Sequence, residues 1–299
     1  MMPSHARVMR RSCLVATVVL QVVSTQAIGA QPTPALTARQ IVDRIKQHVG
    51  VPWDSTTVDT FKDGDPDTPV TGVAVTMMAT MDVLQRAAAA KQNFIITHEP
   101  TFYSHRDGLA DLEKAKDPVT AEKRAFIKTH GLVIWRFHDH WHRRSPDGIA
   151  VGMRQALGWE RYRAAGSEFR FTLPATTVGA LASTIKRDLH IRAVRVVGDP
   201  KMRVTSVALS PGAAPFEAQR AALQSSGVDV LVIGEAREWE TVLYATDAVS
   251  EHRRKALIIL GHIPSEQAGM AECARWLKTF VTEVPIRFVP AREPFWVAR

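Results

Sequence analysis

Gly72-Val-Ala-Val-Thr76, the stretch Thr80 to Lys91, and Phe94-Ile-Ile-Thr-His-Glu-Pro100 decide the fold. Two short β-rich apolar runs flank a segment whose apolar residues recur at helical spacing, which is the pattern of a βαβ unit. Such a unit makes its two strands parallel and leaves their carboxyl ends on one side of the sheet, where α/β proteins bind ligands. The second strand runs directly into His98 and Glu99.

The same grammar extends in both directions. Upstream, Thr37 caps a helix with Ile41, Ile45 and Val49 on its inner face and Gly50 at its end, and residues 54–70 read as an Asp/Thr/Gly/Pro loop. Downstream, a helix near Val119 to His130 leads into a strand from Leu132 to Phe137. Ser145-Pro-Asp-Gly148 is turn chemistry, and Ile149, Met153 and Leu157 make one helical face. Beyond about residue 165, strands are expected at Phe169–Leu173, Val194–Val197, Val204–Leu209, Val230–Ile233, Leu257–Leu260 and Ile286–Val289, with helices between most of them. The segment Val207 to Glu235 copies Val73 to Glu99: strand, helix, strand, carboxylate. The chain therefore reads as α/β with two similar lobes, residues 31–160 and 161–299.

The 299 residues are 45% hydrophobic and 23% charged, with 11 histidines against 2 cysteines. That balance excludes a disordered tail and a disulfide scaffold. Residues 1–30 carry Arg7, Arg10 and Arg11, an apolar run from Cys13 to Val23 and a small-residue end at Ala27-Ile-Gly-Ala30, the form of a cleaved secretory leader. The run is too short for the ~20 residues of a membrane span, so no stable insertion is expected after cleavage. Arg10-Arg11 leaves Sec and twin-arginine export both open. Cleavage would lower the formal charge from +8 to +5 and leave Cys273, on an expected helix, as the only thiol. The modest charge and the isolated basic pairs argue against a nucleic-acid partner. A periplasmic or secreted protein with a small-molecule substrate is expected.

The polar chemistry collects at strand ends. Four apolar strands run into His98-Glu99, into His138-Asp139-His140-Trp141-His142, into Glu235 and into His262. In an extended chain His138, His140 and His142 would share one face. His262 and Glu266 stand one helical turn apart, with Ser265 as the expected cap of a helix starting at Glu266. Histidines and carboxylates without paired cysteines suit zinc, manganese, iron, cobalt or nickel rather than an iron–sulfur cluster. Ser210-Pro-Gly-Ala213 could offer backbone N–H groups to an anion, but with one glycine an ordinary turn is the favoured reading.

At these residues the chain resembles the Nif-three-like dinuclear metal-center family, also known as the GTP cyclohydrolase I type 2 homologues. Thr97-His98-Glu99-Pro100-Thr101-Phe102 is similar to the family's strand ending Ile-Thr-His-His-Pro, with Glu99 in place of the second histidine. His138 to His142 occupies a His-x-x-x-Asp segment, with His142 in place of Asp, and Gly261, His262 and Glu266 match Gly-His-x-x-x-Glu fully. The two exchanges conserve three histidines and two carboxylates. The resemblance implies two α/β lobes with two divalent metal ions (zinc, iron or manganese) in the cleft between them, held by His98, Glu99, His142, His262 and Glu266. It also implies a toroidal hexamer. On this reading the protein is a metal-dependent hydrolase of a phosphoryl, amide or cyclic amidine-type substrate in the cell envelope. Glu235, or one of His138, Asp139 and His140, would move the proton. The alternative is a non-catalytic metal-binding or scaffold ring. Deleting residues 1–30 is expected to hold the protein in the cytoplasm on cell fractionation; unchanged export would overturn the leader.

Overall fold

The computed structural model describes residues 35–298 together with residues 1, 3 and 4. The leader read at residues 1–30 lies, apart from those three, outside the described residues. Helix α1 (Ala38–His48) starts at Thr37, whose side chain accepts from the Gln40 N–H while Gln40 returns a bond to the Thr37 N–H. There follow β1 (Phe61–Asp63), β2 (Val73–Thr76), α2 (Met81–Ala89), β3 (Phe94–Thr97), α3 (Ala110–Lys114), α4 (Pro118–Thr129), β4 (Val133–Arg136), α5 (Asp139–Arg143) and α6 (Gly148–Ala156). The second half comprises β5 (Arg170–Thr177), α7 (Val178–Asp188), β6 (Arg195–Val197), β7 (Arg203–Ser210), α8 (Phe216–Gln224), β8 (Val230–Ile233), α9 (Leu243–Ser250), β9 (Ala256–Ile259), α10 (His262–Leu277) and β10 (Ile286–Phe288).

Two five-stranded sheets result, in the orders β1-β4-β3-β2-β10 and β5-β7-β8-β9-β6. The central strands are parallel and level: Thr76 pairs with Thr97 and Thr97 with Arg136, while Ser210 pairs with Ile233 and Ile233 with Ile259. Each sheet thus ends its strands along one line, which sets the depth at which the following residues emerge. The copies Val73–Glu99 and Val207–Glu235 are both parallel strand–helix–strand units.

Period-two alternation decides how the sheets join. In β8, Val230 and Val232 enter a large apolar core that also contains Val75, Ile96 and Ile134 of the first sheet, whereas Leu231 and Ile233 face a smaller core with Leu223 and Ala245. One face of the second sheet is therefore continuous with the core of the first. A cut at residue 160 assigns every strand to its own sheet except the last, because β10 returns to pair in parallel with β2.

Helix α10 makes that return. It leaves β9 of the second sheet and packs on α6, β2 and β10, burying Met270, Cys273, Ala274 and Leu277. Its crossing with α6 is close because both helices present glycine. A Cβ on Gly152 would collide with the Ala268 carbonyl, and one on Gly269 with the Ile149 backbone. Burial raises the Cys273 thiol pKa, so it is an inert packing group.

Three local expectations are corrected. Residues 54–70 are not all loop, since Phe61–Asp63 adds an antiparallel edge strand against β4. Residues 139–143 are helical, not extended. Helix α10 begins at His262 with Gly261 before it, one turn earlier than the Ser265 cap predicts. Among the described residues no helix is long and apolar enough to cross a membrane.

Gly152→Val is expected to lower stability by about 2 kcal/mol, the cost of overpacking a tight contact, seen as a lower urea midpoint.

Candidate metal centre

Strand β3 delivers His98 with no exposed surface, and its Nδ1 donates to the Phe137 carbonyl at 3.0 Å. Glu99 follows, 8% exposed. Beyond β4 the chain turns into α5 because the buried Asp59 carboxylate collects that helix's first N–H groups: His138 and Asp139 donate to Oδ1 (2.6 and 3.0 Å) and His140 to Oδ2 (2.9 Å). Helical spacing then places His138 and His142 on one side and His140 on the other. This corrects the extended reading. His140 is fully buried, donates through Nδ1 to Asp59 at 2.7 Å, accepts at Nε2 from the Asp54 N–H, and stacks on Trp53. It braces the loop and does not reach the metal-ligating cluster.

Asp139 also faces outward from that cluster. One oxygen accepts from the Thr57 hydroxyl and the Val58 N–H, and the other from His138 Nδ1. Although burial opposes ionisation, these hydrogen bonds bring its carboxyl pKa down to about 2. It orients His138.

His262 and Glu266 arrive on α10, one turn apart. The second sheet adds Glu235, whose Oε1 accepts from His262 Nδ1 at 2.9 Å. It also adds Gly212, at φ +66° beneath the Glu266 carboxylate, where any Cβ would strike it. The Gly212 N–H donates to Ser265 Oγ, and Ser265 in turn donates to the His262 carbonyl.

Six side chains converge. His98 Nε2 and His142 Nε2 are 3.2 Å apart. Glu266 Oε2 lies 3.1 Å from His262 Nε2 and 3.7 Å from His98 Nε2, and Glu99 Oε1 lies 3.3 Å from His262 Nε2 and 3.6 Å from His138 Nε2. Two sets, His98/His138/His142 and His98/Glu99/Glu266, bring their donor atoms within 4.8 Å of one another and could hold a metal ion.

The outer hydrogen bonds make this arrangement chemically specific. Each Nδ1 faces a group that only accepts: the Phe137 carbonyl for His98, and Asp139, Asp147 and Glu235 for His138, His142 and His262. Each neutral imidazole therefore points an Nε2 lone pair inward, toward other lone pairs and two carboxylates. Only cations relieve that crowding. In the metal-free protein protons fill the role: despite burial, Glu235, Glu266 and Glu99 drive the His262 pKa up to about 12. His142 is likewise raised by Asp147, Glu266 and Glu99 against the effect of burial. Burial, with His142 and His138 beside it, pushes His98 far down, so it stays neutral. Glu99 lies below its ordinary value because His262, His138 and Arg136 outweigh burial.

Two contributors escape the sequence reading. Asp147, seen there as turn chemistry, caps α6 through Oδ1 and orients His142 through Oδ2. Arg136, fully buried in β4, donates to the His98 carbonyl at 2.9 Å and to Glu99 Oε2 at 3.2 Å. A charged residue inside an apolar strand was the available signal.

Because His262 holds a proton in the metal-free protein and His142 is shifted in the same direction, metal uptake is expected to release protons and to weaken as pH falls. Titration calorimetry in buffers of different ionisation enthalpy reads both effects. His140→Ala is expected to cost about 2–3 kcal/mol of stability while the folded protein keeps its metal content.

The family model for Duf34/NIF3 (NGG1p interacting factor 3) matches residues 51–294. A Chlamydia pneumoniae protein described as "GTP cyclohydrolase 1 type 2 homolog" is 26% identical over 249 residues, covering 78% of this chain and 88% of that protein. Among solved structures, a Bacillus cereus protein related to NIF3 superposes with a TM-score of 0.68 at 14% identity, covering 89% of this chain and 100% of that one. Staphylococcus aureus protein SA1388 gives 0.64 at 17%, covering 88% and 99%. With residues 51–294 matching the family model, this chain, which brings its paired sheets together at a histidine–carboxylate cluster, belongs to the DUF34/NIF3 family.

Proposed function

We propose that the cluster holds two divalent ions, zinc, iron or manganese, on His98, Glu99, His142, His262 and Glu266, and that the protein is a hydrolase of the cell envelope. His138 is a sixth donor. The convergence of four inward Nε2 atoms on two buried carboxylates carries this reading, since nitrogen and oxygen donors without thiolates suit those metals. Bound there, the ions supply Lewis-acid polarisation of a phosphoryl or carbonyl oxygen and easier ionisation of water.

The chain supplies the proton traffic. Glu235 is half-exposed at the edge of the cluster, and its hydrogen bond from His262 holds it below the ordinary carboxylate range, so it stands ready as a base. His138 is partly open to solvent. Burial outweighs the pull of Glu99 and lowers its pKa, which favours the neutral ring and keeps its Nε2 lone pair available as the sixth donor. Arg136 offsets the extra charge that Glu99 brings in place of a histidine.

Purified protein is expected to carry about two ions per chain and to hydrolyse members of a phosphoesterase, amidase and cyclic amidine panel. His98→Ala and His262→Ala should lose both metal and turnover. Glu235→Gln should keep the metal and lose about 10²–10⁴ in kcat. Less than about one ion per chain, unaffected by both alanine variants, overturns the metal site; full occupancy without turnover makes the protein a sequestering or scaffold ring instead.

A further inference from the structure

The His262 ring and the Glu235 carboxylate also wall a cavity of about 180 Å³, otherwise lined by Met78, Leu260, Ile263, Pro294 and Phe295 among its main contacts. Its polar lining consists of His262, Glu235 and Glu293, and among the described residues no lysine or arginine lines it. The C-terminal segment that forms the outer wall is tied down through Arg192, whose N–H donates to Glu293 Oε2 at 2.9 Å and whose guanidinium donates to the Phe295 carbonyl at 3.2 Å. Phe295 lines this cavity yet remains 74% exposed.

Size, polarity and charge each restrict what fits. A dry cavity of about 150 Å³ lined by aliphatic and aromatic groups accepts a benzene-sized ligand. The two carboxylates disfavour a second anionic group inside the cavity itself, on the side of His262 away from the cluster. The cavity and the metal-ligating cluster share the His262 ring, so one molecule can occupy both.

We propose that this cavity takes the single-ring apolar flank of a neutral carboxylic-acid derivative, an amide or ester whose scissile carbonyl lies at the cluster. The assignment rests on the hydrolytic metal reading and narrows its substrate class. In the reaction the acyl C–N or C–O bond breaks, water supplies hydroxyl to the acyl carbon, and its proton passes through Glu235 to the leaving nitrogen or oxygen.

The test compares benzohydroxamate, acetohydroxamate and phenylphosphonate as ligands of the zinc-loaded full chain by calorimetry, and toluene as a ligand of the chelator-stripped chain by ligand-observed NMR. Benzohydroxamate is expected to bind at least about tenfold tighter than acetohydroxamate, the gain from burying one ring. Met78→Trp, which fills the cavity, should bring that ratio near one at unchanged metal content and should abolish toluene binding. Phe295→Ala, on an exposed side chain, should reduce the ratio without disturbing the fold. Equal affinity for the two hydroxamates, or a ratio that survives both variants, overturns the cavity. Phenylphosphonate binding as tightly as benzohydroxamate overturns the neutral substrate. Met78-dependent toluene binding in a chain that takes up no zinc when reloaded after stripping upholds the cavity and removes the metal reading, so the two failures are distinguishable.

Discussion

The close crossing of α6 and α10 is the contact on which the rest depends. Helix α10 begins at the end of a strand in the second sheet but lies on the first, and only a backbone-to-backbone approach at Gly152 and Gly269 lets it settle there. That seat carries His262 and Glu266 to His98, while the first turn of α6 carries Asp147 to His142. A packing contact between two helices thereby fixes the positions of ligands from both halves of the chain. The return of β10 to the edge of the first sheet closes the same link through the backbone.

Upon that frame, charge and tautomer do the remaining work. Four outward-facing acceptors hold four Nδ1 protons, so four Nε2 atoms turn inward against two buried carboxylates. Such a cluster is unfavourable without positive charge and is stabilised by protons or metal ions. Glu99 shows how a buried carboxylate is accommodated. It adds a negative charge to the cluster, and the buried guanidinium of Arg136 answers it at 3.2 Å while also holding the His98 carbonyl. His142 is matched by Asp147 at 3.1 Å, which places a carboxylate behind the ring.

Much of this was legible in the chain because the signals are local. The runs at Phe94–Thr97 and Val230–Ile233 are fully buried strands, as their uninterrupted apolar character requires, and Thr37 starts a helix through its own side chain. The exceptions share one cause. His138–His142 reads as alternating, but Asp59, some eighty residues earlier, satisfies the N–H groups that let the segment coil. The Ser265 hydroxyl is drawn to Gly212 and the His262 carbonyl, so α10 starts before it. In each case a partner distant in sequence outbids the local preference.

By itself, then, the sequence determined the α/β architecture, the strand ends where the chemistry sits, and the residue types that suit a metal, since these follow from periodicity and side-chain chemistry within a few residues. Only the tertiary structure decided which histidines converge. It turned His140 away onto Asp59 and Trp53, placed Glu235 behind His262, and set Arg136 beside Glu99. Those outcomes depend on which atoms meet across the two sheets, and that is settled by packing and by the need to pair every buried charge.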